Sequence, residues 1–191
     1  MKIGITGGIG SGKSYVCRLL QQHHGISVYD CDSAAKRLMR SDEQLRLQLT
    51  RLIGSDCYTP DGLLNKASVA RFLLASQENA QAIDDIVHPA VFRDFEESGY
   101  QWIESAILFE SGIDRMVDRV VVVTAPEEVR LQRIMQRDGI TREKAYEWMT
   151  RQLPQDEVRH RADFEIINDG TTPLVPQIEK LIETIQQIKE K

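Results

Sequence analysis

Cysteine is scarce: Cys17, Cys31 and Cys57 are the only three in 191 residues, too few and odd in number for a disulfide framework. None belongs to a C-x-x-C pair, so neither a zinc site nor a thioredoxin-like centre has the spacing it needs. Reduced thiols in the cytoplasm are the expectation. Long apolar runs are missing too. No stretch approaches the ~20 residues needed to span a bilayer. The start of the chain turns glycine-rich before a signal-peptide apolar region forms. A basic excess is also lacking: 24 Lys+Arg stand against 29 Asp+Glu, a net charge of −5. That balance argues against a duplex nucleic-acid binder, which displaces counterions with a basic footprint. The expectation is a protein with no nucleic-acid or membrane partner, a monomer or weak homo-oligomer. Hydrophobic residues at 41% and charged residues at 28% exclude the composition of a disordered chain.

What is present alternates. β-type runs fall at 2–6, 27–30, 102–108, 119–124 and 164–167, and helical patterns lie between them. The run Arg119-Val120-Val121-Val122-Val123-Thr124 suits a strand buried on both faces. Val16, Leu19 and Leu20 recur at helical spacing before Gly25, where a left-handed cap belongs. Pro126-Glu127-Glu128 reads as a helix first turn. Ile178, Leu181, Ile182, Ile185 and Ile188 form one stripe for packing on a sheet. Such alternation predicts an α/β fold with a parallel sheet and right-handed crossovers.

Two segments interrupt the pattern. About 70 residues separate Asp30 from Gln101, where a crossover helix with its loops needs ~10–20. Within them Ser41-Asp42-Glu43-Gln44 resembles a capping box, and 67–75 and 77–97 carry helical spacing. The segment is expected to be an inserted helical subdomain, about 32–99. A second insertion, about 137–161, is expected to be a lid. The sheet-bearing core is then about 1–31, 100–136 and 162–191.

The strongest motif is Gly7-Gly8-Ile9-Gly10-Ser11-Gly12-Lys13-Ser14, a full G-x-x-x-x-G-K-[ST] between an apolar strand and an amphipathic helix. Glycines let the backbone wrap a phosphate with inward N–H groups, and the helix N-terminus adds partial positive charge. Lys13 is expected at the β- and γ-phosphates and the Ser14 hydroxyl on Mg²⁺. A GTPase also needs D-x-x-G and N-K-x-D. The first is absent, and Asn65-Lys66-Ala67-Ser68 carries serine in place of the guanine-reading carboxylate. A small-molecule kinase with an acceptor subdomain and a closing lid remains.

Asp30-Cys31-Asp32 ends the second strand, where ligands bind in open α/β sheets. Alternation along an extended segment would aim both carboxylates alike, one as proton acceptor and one orienting metal or sugar. The alternative is that Asp32 serves as N-cap of a helix starting near Ser33. Ala106-Ile107-Leu108-Phe109-Glu110 has the shape of a Walker B strand ending in a carboxylate. Residues 130–161 hold eight Lys/Arg against five Asp/Glu, so arginines of the lid are placed to neutralise a transferred phosphoryl. Arg133 and Arg137, four apart, share a helix face.

Taken in order, these residues resemble the dephospho-coenzyme A kinase family along nearly the whole chain. The resemblance rests on the phosphate loop, on Asp30-Cys31-Asp32 (usually Asp-Ala-Asp), and on His88-Pro89 and Leu108-Phe109-Glu110. Arg137-Asp138-Gly139, Gln152, Ala162-Asp163 and Asn168 complete it. It implies a five-stranded P-loop, nucleotide-kinase-like core and ATP- and Mg²⁺-dependent phosphorylation of the 3′-hydroxyl of dephospho-coenzyme A. Asp32 would be the general base, with Lys13 and Arg137 in the chemistry. Gly8, Ile9, Gly10, Ser11, Gly12, Lys13, Ser14, Tyr15, Arg133 and Arg137 would hold the nucleotide. Asp30, Asp32, His88 and Glu110 would face the acceptor. Tyr15 replaces the usual threonine, Asn65-Lys66 the common Asp-Arg, and Trp148 a frequent arginine. A kinase for another small acceptor and a non-catalytic nucleotide sensor are the alternatives.

Overall fold

The structure is a computed structural model, described here for residues 1–190. Its chain divides into two compact units, one formed by Met1–Tyr29 with the chain from Tyr100 onward, the other by Asp30–Gly99.

The first unit carries an α/β sheet of order β2-β3-β1-β4-β5. Its strands are β1 (Ile3–Thr6), β2 (Val28–Asp30), β3 (Trp102–Glu104), β4 (Arg119–Thr124) and β5 (Phe164–Ile167). β1 lies centrally and pairs in parallel with β3 and β4, and β4 pairs in parallel with β5. All four β1 residues and five of the six in β4 are buried, so neither strand shows in–out alternation. Helices α1 (Lys13–His24) and α9 (Leu174–Lys189) pack together on the sheet. Val16 and Leu20 from α1, and Ile178, Leu181 and Ile185 from α9, enter one core with Ile3, Val121 and Ile166. Burying each such side chain contributes about 1.5–3 kcal/mol. Gly25 caps α1 at φ 65°, as its position in the sequence predicts. Helices α6 (Glu127–Asp138), α7 (Arg142–Thr150) and α8 (Gln155–Arg161) fill the interval between β4 and β5.

The run at 102–108 is not one strand. β3 stops at Glu104. After Ser105 N donates to Ile5 O at 3.0 Å the chain turns, and Ser111 N closes back on Ile107 O at 2.9 Å. Leu108 is buried against Gly4, where a Cβ would lie 2.7 Å from Leu108 Cδ1. The apolar run thus buries its leucine through a turn, and Glu110 does not end a strand.

The second unit is helical: α2 (Cys31–Ser41), α3 (Glu43–Ile53), α4 (Lys66–Ala75) and α5 (Gln77–Ser98). Here α5 packs against α2, α3 and α4 and buries Val87, Val91 and Phe95. The α3 cap is Asp42, whose carboxylate accepts from Leu45 N at 2.8 Å; Ser41 ends α2 instead, bonding Arg37 O. The expected capping box therefore does not form: a simple cap one residue on replaces it, because Leu45 has no polar side chain to bond back to Asp42. Asn65 and Ser76 cap α4 and α5 through Ser68 N and Asn79 N. α5 continues through Pro89, so His88 sits in a helix interior rather than at an end.

Candidate active site

The phosphate loop leaves β1 at Thr6 and enters α1 at Lys13, and its glycines have no room for larger side chains. A Cβ on Gly8 would lie 2.2 Å from Arg130 Nη2 and one on Gly12 2.2 Å from Asn168 Nδ2. Gly10 and Gly12 also adopt φ of 82° and 90°, which L side chains rarely take.

Three side chains hold the loop by its carbonyls. Arg130 Nε donates to Ile9 O at 2.9 Å. Arg133 Nη1 donates to Gly10 O and Ser11 O, both at 3.3 Å. Asn168 Nδ2 donates to Ser11 O at 2.8 Å while its Oδ1 accepts from Arg133 Nη2 at 3.3 Å. In a planar trans peptide the C=O and the next N–H point oppositely. Holding Ile9 O and Ser11 O outward therefore turns the N–H groups of Gly10 and Gly12 to the other side. The first N–H groups of α1 add to them. The result is an anion cradle at a helix N-terminus. Gln152 Oε1 accepts from Ile9 N at 2.7 Å and fixes the loop's apex.

Lys13 is buried, with Nζ 3.6 Å from Glu104 Oε1. Ser14 is exposed at the start of α1. The Ser11 hydroxyl is buried with no hydrogen-bond partner among the described residues. Crowded glycines, a buried lysine and an orphaned hydroxyl fit a polyphosphate. The Ser14 hydroxyl and the Glu104 carboxylate are hard oxygen donors that suit Mg²⁺.

Some expected residues stand elsewhere. Arg133 faces the loop carbonyls, whereas Arg137, in the last turn of α6, pairs with Asp138 at 2.7 Å, which holds its pKa above the usual value. Glu110 Oε1 accepts from Leu153 N at 3.1 Å and ties down the chain after α7. The acidic side chain at the end of β3 is Glu104, which the strand reading skipped. Tyr15 is exposed, with the Arg18 guanidinium 5.5 Å from its ring centroid. Trp148 packs beside Leu131, Ile134 and Met149.

In the helical unit, Asp30 is the N-cap of α2, accepting from Ser33 N at 3.1 Å and Ser33 Oγ at 2.7 Å. Asp32 lies in the first helical turn, so extended-strand alternation does not relate the two carboxylates. The cap is Asp30, which leaves Asp32 exposed and without a partner among the described residues. His88 Nε2 is 3.6 Å from Asp84 Oδ1, and its ring stacks on Phe92 at 6.2 Å.

The basic excess of 130–161 is compensated in part by carboxylates outside the window, which counting within it misses. Arg142 pairs with Glu128 at 2.5 Å, Arg159 with Glu165 at 2.8 Å, and Arg161 reaches Asp114 at 3.9 Å. Lys144 and Arg151 share Glu147. Among the described residues, only the cations facing the loop escape this pairing.

A parallel sheet with a glycine cradle after its central strand, a lysine opening the next helix and an acidic residue on the neighbouring strand define a phosphate-loop kinase. Residues 1–173 match the family model described as CoaE: Dephospho-CoA kinase. The dephospho-CoA kinase of Bacteroides fragilis strain YCH46 is 40% identical over 198 residues, 98% of this chain and 94% of that protein. That of Porphyromonas gingivalis is 42% identical over 191 residues, 96% and 94% of the two chains. Among solved structures, TT1252 from Thermus thermophilus superposes with a TM-score of 0.79 at 31% identity, over 98% of this chain and 96% of that one. The chain belongs to the dephospho-CoA kinase family.

Proposed function

We propose that the protein transfers the γ-phosphoryl group of ATP to the 3′-hydroxyl of dephospho-coenzyme A, giving coenzyme A and ADP. The observation that carries this reading is the closed phosphate cradle in a chain that matches the family over residues 1–173.

The loop N–H groups and Lys13 bind the β- and γ-phosphates and offset their charge where water is scarce. Ser14 and Glu104 would hold Mg²⁺, which supplies charge neutralisation to the phosphoryl oxygens. Asp32, free of the capping bonds that occupy Asp30, accepts the ribose proton. The ribose oxygen forms a bond to the γ-phosphorus as the bond to the β-phosphate oxygen breaks, and ADP leaves with the electron pair. Arg133 keeps the loop carbonyls outward throughout. Arg137 is the lid arginine, and it reaches phosphate by exchanging Asp138 for the nucleotide. His88 faces the acceptor. The second unit serves as the acceptor subdomain and residues 137–161 as the lid, whose closure excludes water.

The protein is proposed to work in the cytoplasm. All three cysteines are free thiols, two of them buried, and no described helix is long and apolar enough to cross a membrane. The test is coupled ADP release with dephospho-coenzyme A, with AMP and with no acceptor. ADP formed only with dephospho-coenzyme A is expected. Equal turnover of AMP, or ADP release without acceptor, would overturn the assignment.

A further inference from the structure

Arg130 is a buried cation with almost nothing to neutralise it. Its side chain is part of a residue only 6% exposed. Of its five N–H donors one is engaged, the Nε bond to Ile9 O at 2.9 Å. No carboxylate comes within ion-pair distance among the described residues. The acidic group that acts on it is Glu127, exposed one turn earlier, and burial still pulls the guanidinium pKa below its ordinary value. Arginine does not deprotonate under such pressure, so the charge persists.

Its place in the fold supplies the missing half. Nη2 lies where a Gly8 Cβ would sit, 2.2 Å away, and the Arg130 carbonyl lies 2.7 Å from where a Gly10 Cβ would sit. Two further cations border the same loop, Arg133 and Lys13, with one carboxylate between the three, Glu104 at 3.6 Å from Lys13. The surroundings of the loop therefore carry a surplus of positive charge in a site where water screens poorly.

We propose that Arg130 is a charge-supplying residue of the nucleotide site, a fixed cation lodged behind the phosphate loop that acts through it and whose counterion is the bound triphosphate on the loop's other side. It supplies charge to ATP at the cost of stability in the empty protein, since a buried charge without a partner is unfavourable and a packed apolar replacement is often neutral or stabilising. The inference rests on the loop's reading as an ATP site. It does not depend on the identity of the acceptor.

The test compares wild type with Arg130→Met, which keeps the bulk, and Arg130→Lys, which keeps the charge. Calorimetric affinities are measured for ATP and for adenosine, and melting temperatures with and without ATP. Arg130→Met is expected to melt within about 3 °C of wild type when empty, because the buried charge and the Ile9 bond are lost together. Its ATP affinity should fall at least tenfold while adenosine affinity is unchanged. Tenfold is about 1.4 kcal/mol, so the ATP-induced rise in melting temperature should shrink by roughly 3–6 °C. Arg130→Lys should stay within about threefold of wild type for ATP.

A purely structural arginine gives the opposite pattern. Arg130→Met would then fail to fold or melt far lower, with ATP affinity intact in whatever folds, and that overturns the proposal. Arg130→Lys as weak as Arg130→Met overturns it too, since charge would not be the determinant. Wild type that binds ATP but leaves dephospho-coenzyme A unphosphorylated ends the proposed function alone. Wild type that does not bind ATP ends both.

Discussion

Replacing Gly12 by alanine separates the two demands that the phosphate loop makes on its glycines. Gly12 has φ 90°, and a Cβ there would lie 2.2 Å from Asn168 Nδ2. The backbone strain costs about 1–2 kcal/mol by itself. The collision costs more, because Asn168 must withdraw and leave Ser11 O without its 2.8 Å bond. Leaving a buried acceptor poorly satisfied costs about 1–3 kcal/mol. The sum, about 2–5 kcal/mol, corresponds to a melting temperature lower by roughly 4–20 °C in a chain of this size. Gly139, which caps α6, is the control: its φ is 64° and nothing lies within 4 Å of an added Cβ. Gly139→Ala therefore carries strain alone, a loss of about 2–8 °C. Thermal unfolding of both variants, followed by circular dichroism, gives the steric part as the difference. A second comparison sharpens it. Adding Asn168→Ala removes the colliding group, so the double variant should be less destabilised than the sum of the singles by about 1 kcal/mol. Gly12→Ala melting no lower than Gly139→Ala, or strict additivity in the double variant, would refute the account of a loop packed against Asn168.

Three other outcomes are expected. Asp32→Asn should keep ATP affinity and lower kcat by ~10²-fold or more, the range of a positioned base; near-wild-type turnover would remove that role. Glu104→Gln should leave ATP affinity measured without Mg²⁺ unchanged or raised, while ~10–100-fold more Mg²⁺ is needed for half-maximal turnover; an unaltered Mg²⁺ titration would exclude Glu104 from the metal site. Asp169 accepts from Thr172 N at 2.7 Å and Thr171 N at 2.8 Å, which together with the Thr172 hydroxyl hold its carboxyl far below the ordinary 3.8. A depressed carboxyl stabilises the fold fully above pH 3.8 and loses that contribution as pH falls towards the folded value. The melting-temperature difference between wild type and Asp169→Asn should therefore be constant above about pH 5 and shrink below pH 4; a gap that does not narrow in acid would contradict it.

The parts of the fold that chain order alone determines were readable. Glycines between an apolar strand and an amphipathic helix, four consecutive valines, a glycine after Leu20, and an isoleucine stripe each act on near neighbours. What failed needed a partner from elsewhere. The run 106–108 has the composition of a strand, and only the fit of Leu108 against Gly4 shows that it turns. Asp30 and Asp32 are spaced for a shared strand face, but Ser33 draws Asp30 into a helix cap. The charge excess of 130–161 narrowed to the arginines at the loop once Glu128, Glu165 and Asp114, each outside the window counted, proved to be partners. Arg133 was legible as a cation on a helix face, while its bonds to Gly10 O and Ser11 O link positions more than a hundred residues apart. Arg130 gave the weakest signal. Burial without a counterion is a property of the folded state, with no counterpart in spacing.

The helical unit leaves the sheet-bearing unit after Tyr29 and returns at Tyr100. Those two residues meet edge to face, ring centroids 5.8 Å apart at 72°. The excursion therefore begins and ends at neighbouring residues of the first unit. Closing the chain there by a short turn would cost little loop entropy, since that cost rises only logarithmically with length. Contiguous ends are where insertions and exchanges of whole units are tolerated. The aromatic pair thus makes the helical unit a replaceable cassette, open to exchange without altering β1, the strand that leads into the phosphate loop.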